Sequence, residues 1–329
     1  MRNKQAVKSN GGGQTAKAAV NGNGGGRPPQ LLLDRRICLL TAAFVSLTAA
    51  VVFLTASLSA QTADSLAIRF SGMTAVTGYE QAMTDSLLTL LPGSARDRTG
   101  NVTLALGRGS PRRLVYCALD EIGYAVGNIT DDGYILLRRV GGGARLYPLF
   151  DQQIEGHRVT LFGRRGAVPG VVAVRSTHLT RGRPTRDEPP FTVDNAYVDV
   201  GAASREEVLA LGISVLTPLS ITKRPHRYGD RAALLAAPNA GRRAACAALA
   251  SAALSRPRVS GTVVVAFTVQ SLYADTAGLK TIVNLQGPFT ETRQLSVPAR
   301  FPDTTVETVS LRDVDALVAD VVKWIGGGR

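Results

Sequence analysis

Carboxylates, with few histidines beside them, carry most of the chemistry this sequence can offer. Asp120 and Glu121 stand together in Ala118-Leu119-Asp120-Glu121-Ile122-Gly123, where an apolar run empties into an acidic turn. Strand ends of this kind are where α/β proteins place their chemistry. Convergence of Asp120 and Glu121 with Asp275 and Asp303 would make an all-oxygen site suited to Mg²⁺ or Ca²⁺ rather than to zinc. The three histidines, His157, His178 and His226, lie too far apart to share a helix or strand as ligands. The cysteines are Cys38, Cys117 and Cys246. Their odd number, with the first in an apolar segment, predicts packing thiols rather than a disulfide framework. A phosphate-binding P-loop, a G-x-S-x-G elbow and an H-E-x-x-H pair are all missing from the sequence.

The elements that must position these residues alternate in type. Glu80–Leu91 has helical apolar spacing and stops at Pro92-Gly93, and Arg112–Cys117 reads as a strand. From 127 to 223 the pattern changes to short runs broken by Gly and Pro: Tyr134–Leu137, His157–Phe162, Val168–Val174 and Ala196–Val200. That is the signature of a small β-rich domain. Inside it, Ser204 and Glu207 form a capping box, predicting a short helix that ends near Gly212. Ala232–Leu254 reads as helix, Gly261–Gln270 as a strand buried on both faces, and Val314, Leu317, Val318, Val321, Val322 and Ile325 as one face of a closing helix. The expected architecture is an α/β body, residues 61–126 and 224–329, with a β domain inserted at 127–223.

Charge adds a cellular dimension. The chain of 329 residues carries a formal +13, with a hydrophobic fraction of 45% that excludes a disordered or fibrous protein. Residues 1–34 are Gly-rich and polar, too poor in apolar surface to order. Ile37–Ala56 is an uncharged stretch long enough to span a bilayer, set in a signal-anchor over 35–60. Arg35 and Arg36 abut it, which places the tail in the cytoplasm and the body outside the inner membrane. The small residues of Ala56-Ser57-Leu58-Ser59-Ala60 support the rival reading, a cleaved signal peptide. Arginines in the body are scattered and aromatics are only 5%, so no nucleic-acid partner is expected.

Taken in order, the body resembles the glutamyl aminopeptidase, tetrahedral aminopeptidase and cellulase M family of dinuclear metallopeptidases. The matching runs include Ser71-Gly72-Met73-Thr74-Ala75-Val76-Thr77-Gly78-Tyr79-Glu80, Asp97-Arg98-Thr99-Gly100-Asn101, Ala118 to Gly123, Val168-Pro169-Gly170-Val171, Val198 to Glu207, Phe267-Thr268-Val269-Gln270 and Pro298-Ala299-Arg300-Phe301. The resemblance implies a three-layer α/β peptidase body with an inserted small β-barrel used in oligomer assembly, hence a homo-oligomer through residues 127–223. For active members it also implies zinc or cobalt.

The same resemblance locates what has changed. The first metal-binding His of the family falls at Ala118, and the bridging Asp at Gly241, or at Asn239 in a looser alignment. The Glu pair that supplies general base and ligand falls at Ser271 and Leu272. A further Asp ligand, on the following strand, falls at Asn284, and the last His at Asp303. Asp120, which in active relatives orients the first His, and Glu121 remain. The expectation is a membrane-anchored homologue without cofactor or catalysis, acting in binding or assembly. The alternative is an active metallo-aminopeptidase or other hydrolase using a rearranged site such as Asp120, Glu121, Asp275 and Asp303. Losing ligands together with the base removes water activation and proton transfer at once.

Overall fold

The computed structural model describes residues 62–141, 150–173, 191–273 and 276–327. The Gly-rich tail, the Ile37–Ala56 segment, His178 and Asp275 lie outside the described residues. Among the described residues no helix is long and apolar enough to cross a membrane.

The chain enters the body through α1 (Ala63–Ser71), capped by the Thr62 hydroxyl, which accepts from the Ser65 N–H. Next comes α2 (Gln81–Leu90), the helix expected before Pro92. Strands β1 (Ala95–Arg96), β2 (Val102–Gly107) and β3 (Arg112–Ala118) begin the main sheet.

At Gly123 the chain leaves for the inserted domain. Strands β4 (Gly123–Ile129), β5 (Ile135–Val140), β6 (Arg158–Gly163), β7 (Gly166–Val172), β8 (Tyr197–Asp199) and, after α3 (Arg205–Ala210), β9 (Pro218–Ile221) close a barrel in the order β4-β5-β8-β7-β6-β9. Inward positions alternate along the strands, and Val126, Ile135, Leu137, Val159, Leu161, Val198 and Leu219 fill its core. Ser204 caps α3 as the spacing requires, but Glu207 reaches back to the Ala203 N–H and not to that of Ser204 itself. Ser204 Oγ accepts from the Glu207 N–H, and Glu207 Oε2 accepts from the Ala203 N–H at 2.8 Å.

The chain then returns through β10 (His226–Tyr228), β11 (Leu234–Ala236), α4 (Ala240–Leu254), β12 (Thr262–Thr268), α5 (Ala277–Gln286), β13 (Glu291–Gln294), β14 (Ala299–Arg300), β15 (Thr308–Ser310) and α6 (Leu311–Ile325). The main sheet has the order β1-β2-β12-β3-β13, with β12, β3 and β13 parallel. All seven residues of β12 are buried, because both faces of the sheet are covered. On one face Ile282 of α5 packs with Leu114, Val264 and Ala266. On the other, α4 packs with α1, α6 and Val115, Val263, Val265 and Phe267. Alanine at most positions of α4 gives it little girth, so it can be buried all round between sheet and helices.

Two sequence expectations change here. The helix read over Ala232–Leu254 starts only at Ala240. Before it, β11 pairs with β15, and Asn239 at φ 58° turns the chain into the helix. Cys117 and Cys246 are not free packing thiols but a disulfide, with Cα atoms 5.4 Å apart. An odd count misled, because packing α4 against β3 brings together two cysteines separated by 129 residues and leaves Cys38 out of the pairing.

Candidate functional site

The carboxyl ends of the parallel strands β3 and β12 lie side by side, Ala118 opposite Thr268. The end of β3, the start of α4, the segment leaving β13 and the loop between β14 and β15 surround an open cleft of about 330 Å³. Ala118, Gly241, Arg242, Gln294, Asp303 and Glu307 line it. This is where an α/β sheet offers a ligand site.

Asp120 is wholly buried and its oxygens are engaged by the protein. Oδ1 accepts from the Ser271 hydroxyl at 2.5 Å, and Oδ2 accepts from Thr77 Oγ1 at 3.0 Å and from the Leu272 N–H at 2.9 Å. Arg242 reaches in from α4, donating to Ser271 Oγ at 2.9 Å with its Nη1 3.8 Å from Asp120 Oδ1. Ser271 and Leu272 therefore serve as donors to Asp120.

Glu121 is equally saturated. Oε1 accepts from the Ala75 N–H at 3.1 Å, while Oε2 takes the Lys223 ammonium, Arg243 Nη2 at 2.9 Å and Asn239 Nδ2 at 3.1 Å. The Lys223 and Arg243 side chains are 2% and 0% exposed. Burial alone would raise the Glu121 pKa, but the two adjacent cations outweigh it and hold the carboxyl below its ordinary value. Lys223 is pushed down to about 8, by burial first and by Arg243 second, against the opposing pull of Glu121.

At the mouth of α4, Glu307 occupies the space beside Gly241. Its Oε1 accepts from the Gly241 N–H at 2.7 Å and its Oε2 from the Asp303 N–H at 3.2 Å. A Cβ at position 241 would come within 2.8 Å of that Oε1, so an Asp fits there only if Glu307 moves. Burial raises the Glu307 pKa.

The remaining sequence candidates that lie among the described residues do not assemble into a metal centre. Asn284 is exposed on α5, not on the strand expected for it: the chain reaches its next strand only at Glu291. Asp303 lies exposed at φ 61° on the cleft rim, with its N–H given to Glu307. Asp275 lies outside the described residues. Among the described residues no three His, Cys, Asp or Glu side chains stand together as metal donors. Among the described residues, a methyl group at 118, a bare glycine at 241 and two carboxylates already claimed by protein cations and hydroxyls do not fit a dinuclear zinc or cobalt centre.

Sequence reasoning assigned no role to Lys223, Arg242, Arg243 or Glu307. One signal was available: Arg242-Arg243 are the only charges in the alanine-rich stretch that becomes α4, and a helix buried all round must pair any charge it carries.

Comparison with known proteins agrees with this fold. The sequence profile of the M42 glutamyl aminopeptidase family matches residues 100–271. The SgcX protein of Escherichia coli K12 is 32% identical over 158 residues, covering 46% of this chain and 40% of that protein. Lysyl aminopeptidase of Pyrococcus furiosus is 30% identical over 147 residues, covering 43% and 40%. The chain thus spans about 40% of the length of the curated relatives it matches. In fold, the Pyrococcus horikoshii TET1 peptidase superposes with a TM-score of 0.69 at 20% identity, over 80% of this chain and 99% of that one. It can assemble into a tetrahedron or a large octahedral shell. Aminopeptidase APDkam598 of Desulfurococcus kamchatkensis superposes with a TM-score of 0.64 at 18% identity, over 79% and 93%.

Proposed function

The chain belongs to the M42 glutamyl aminopeptidase family, and we propose that it is a member that has given up metal-dependent peptide hydrolysis and acts by binding or assembly. What supports this reading is that Asp120, Glu121 and the space beside Gly241 are all taken up by the protein's own groups. Lys223 and Arg243 neutralise Glu121, Ser271 and Thr77 hold Asp120, and Glu307 occupies the space that a carboxylate at 241 would need. With no general base at 271 or 272 and no imidazole at 118, activation of a water has no starting point.

In this reading Ile37–Ala56 tethers the protein to the cytoplasmic membrane and the body lies outside. The Cys117–Cys246 disulfide supports that side of the membrane, since such bonds persist in oxidising compartments. The barrel is the assembly domain, in keeping with the oligomers reported for the TET1 peptidase.

The test is metal analysis beside an aminopeptidase assay on the purified protein. A dinuclear site saturated a thousandfold over its Kd would gain about 4 kcal/mol from metal, and about 1 kcal/mol already moves a domain of this size by about 2–4 °C. The expected result is no stoichiometric zinc or cobalt, no activity, and a melting temperature that EDTA or added zinc moves by less than about 1 °C. Stoichiometric metal with peptide hydrolysis would revive the active reading.

A further inference from the structure

Two buried cations share one carboxylate. Lys223, Arg243 and Glu121 are all essentially inaccessible, and Lys223 and Arg243 both give their ion pair to Glu121 Oε2. The cluster therefore holds one more positive charge than negative, in a setting where an uncompensated charge is costly. Its hydrogen bonding is also incomplete. Arg243 Nε is buried and meets no acceptor. The Lys223 ammonium has three protons, of which Glu121 and the Met73 carbonyl at 2.8 Å take two. Asn239 has a second amide proton beyond the one given to Glu121.

A small cavity of about 40 Å³ adjoins the cluster between body and barrel, lined by Lys223, Glu121, Asn239, Gln153, Ser220 and Asp303 among others. That volume holds one or two particles the size of water. The carboxylates facing it leave it open to an anion. Glu121 has both oxygens engaged, and Asp303 stands at the exposed rim. We propose that this cavity binds a single small monovalent anion of the halide class, chloride in solution, against the Lys223 ammonium and the Asn239 amide. One bound halide balances the cluster and uses the proton that Lys223 has left.

The test compares melting of the full-length protein in detergent micelles in sodium chloride and in sodium gluconate at equal ionic strength. Gluconate is too large for the cavity. Chloride is expected to raise the melting temperature of the wild type by about 2–4 °C as it saturates. Lys223→Met, which leaves the neutral Glu121–Arg243 pair, is expected to abolish the difference. Equal melting in both salts from 10 to 500 mM, or a chloride effect that survives in Lys223→Met, overturns the proposal. A crystal of the wild type soaked in bromide decides independently of whether the variant folds. An anomalous peak beside Lys223 supports the site, and peaks confined to the surface overturn it.

Discussion

Lys223 and Glu121 make the sharpest residue-scale contrast, because one carboxylate restrains two cations. Glu121→Gln leaves Lys223 and Arg243 buried without a counter-charge, and the expected loss is about 3–5 kcal/mol, read by denaturant unfolding. Lys223→Met removes the surplus charge and is expected to cost far less. Proton linkage gives the second signature. The folded-state pKa of Lys223, about 8, lies below its ordinary 10.5. Between those values the unfolded chain holds a proton that the native one has released, so native stability rises with pH across that window. The penalty of burying the charged ammonium is fully present below pH 8 and is relieved above it. Unfolding curves between pH 8 and 10 should therefore show wild-type stability climbing relative to Lys223→Met, and parallel curves for the two would contradict this account.

Helix α4 sets the element scale, since its first turn lines the cleft. Gly241→Asp places a carboxylate there, yet its Cβ meets Glu307 Oε1 at 2.8 Å and sets two carboxylates side by side. The expected outcome is destabilisation by about 1–3 kcal/mol with no gain of metal, measured by unfolding and by metal analysis. How far such an element can be read in advance depends on the range of the forces that make it. Arg112–Cys117, the Ser204 cap and the Val314–Ile325 face were legible because local periodicity and local hydrogen bonds define them. The barrel was legible as a change in pattern. What was not legible depends on distant partners. Ala232–Asn239 turns away from helix because β11 finds β15 more than seventy residues on. The burial of Arg243 follows from Glu121, 122 residues earlier, and sequence spacing contains no trace of that meeting.

For the whole molecule, the tether and the barrel make separate demands. If Ile37–Ala56 spans a bilayer, the protein stays in the membrane fraction through high salt and alkaline washing, and a soluble product beginning near Gln61 would show cleavage instead. The covalent architecture carries a different consequence. The bond between Cys117 and Cys246 ties the chain before β4 to the chain after β9, so every strand of the barrel lies within one closed loop. A protease that cuts anywhere between residues 123 and 221 opens the ring without dividing it. The nicked protein is expected to run at full mass on a non-reducing gel and to fall into two fragments only with a thiol reductant. Two fragments without reductant would mean that the ring is not closed. With the ring closed, cuts at the barrel's loops would accumulate as silent nicks in molecules that still hold together.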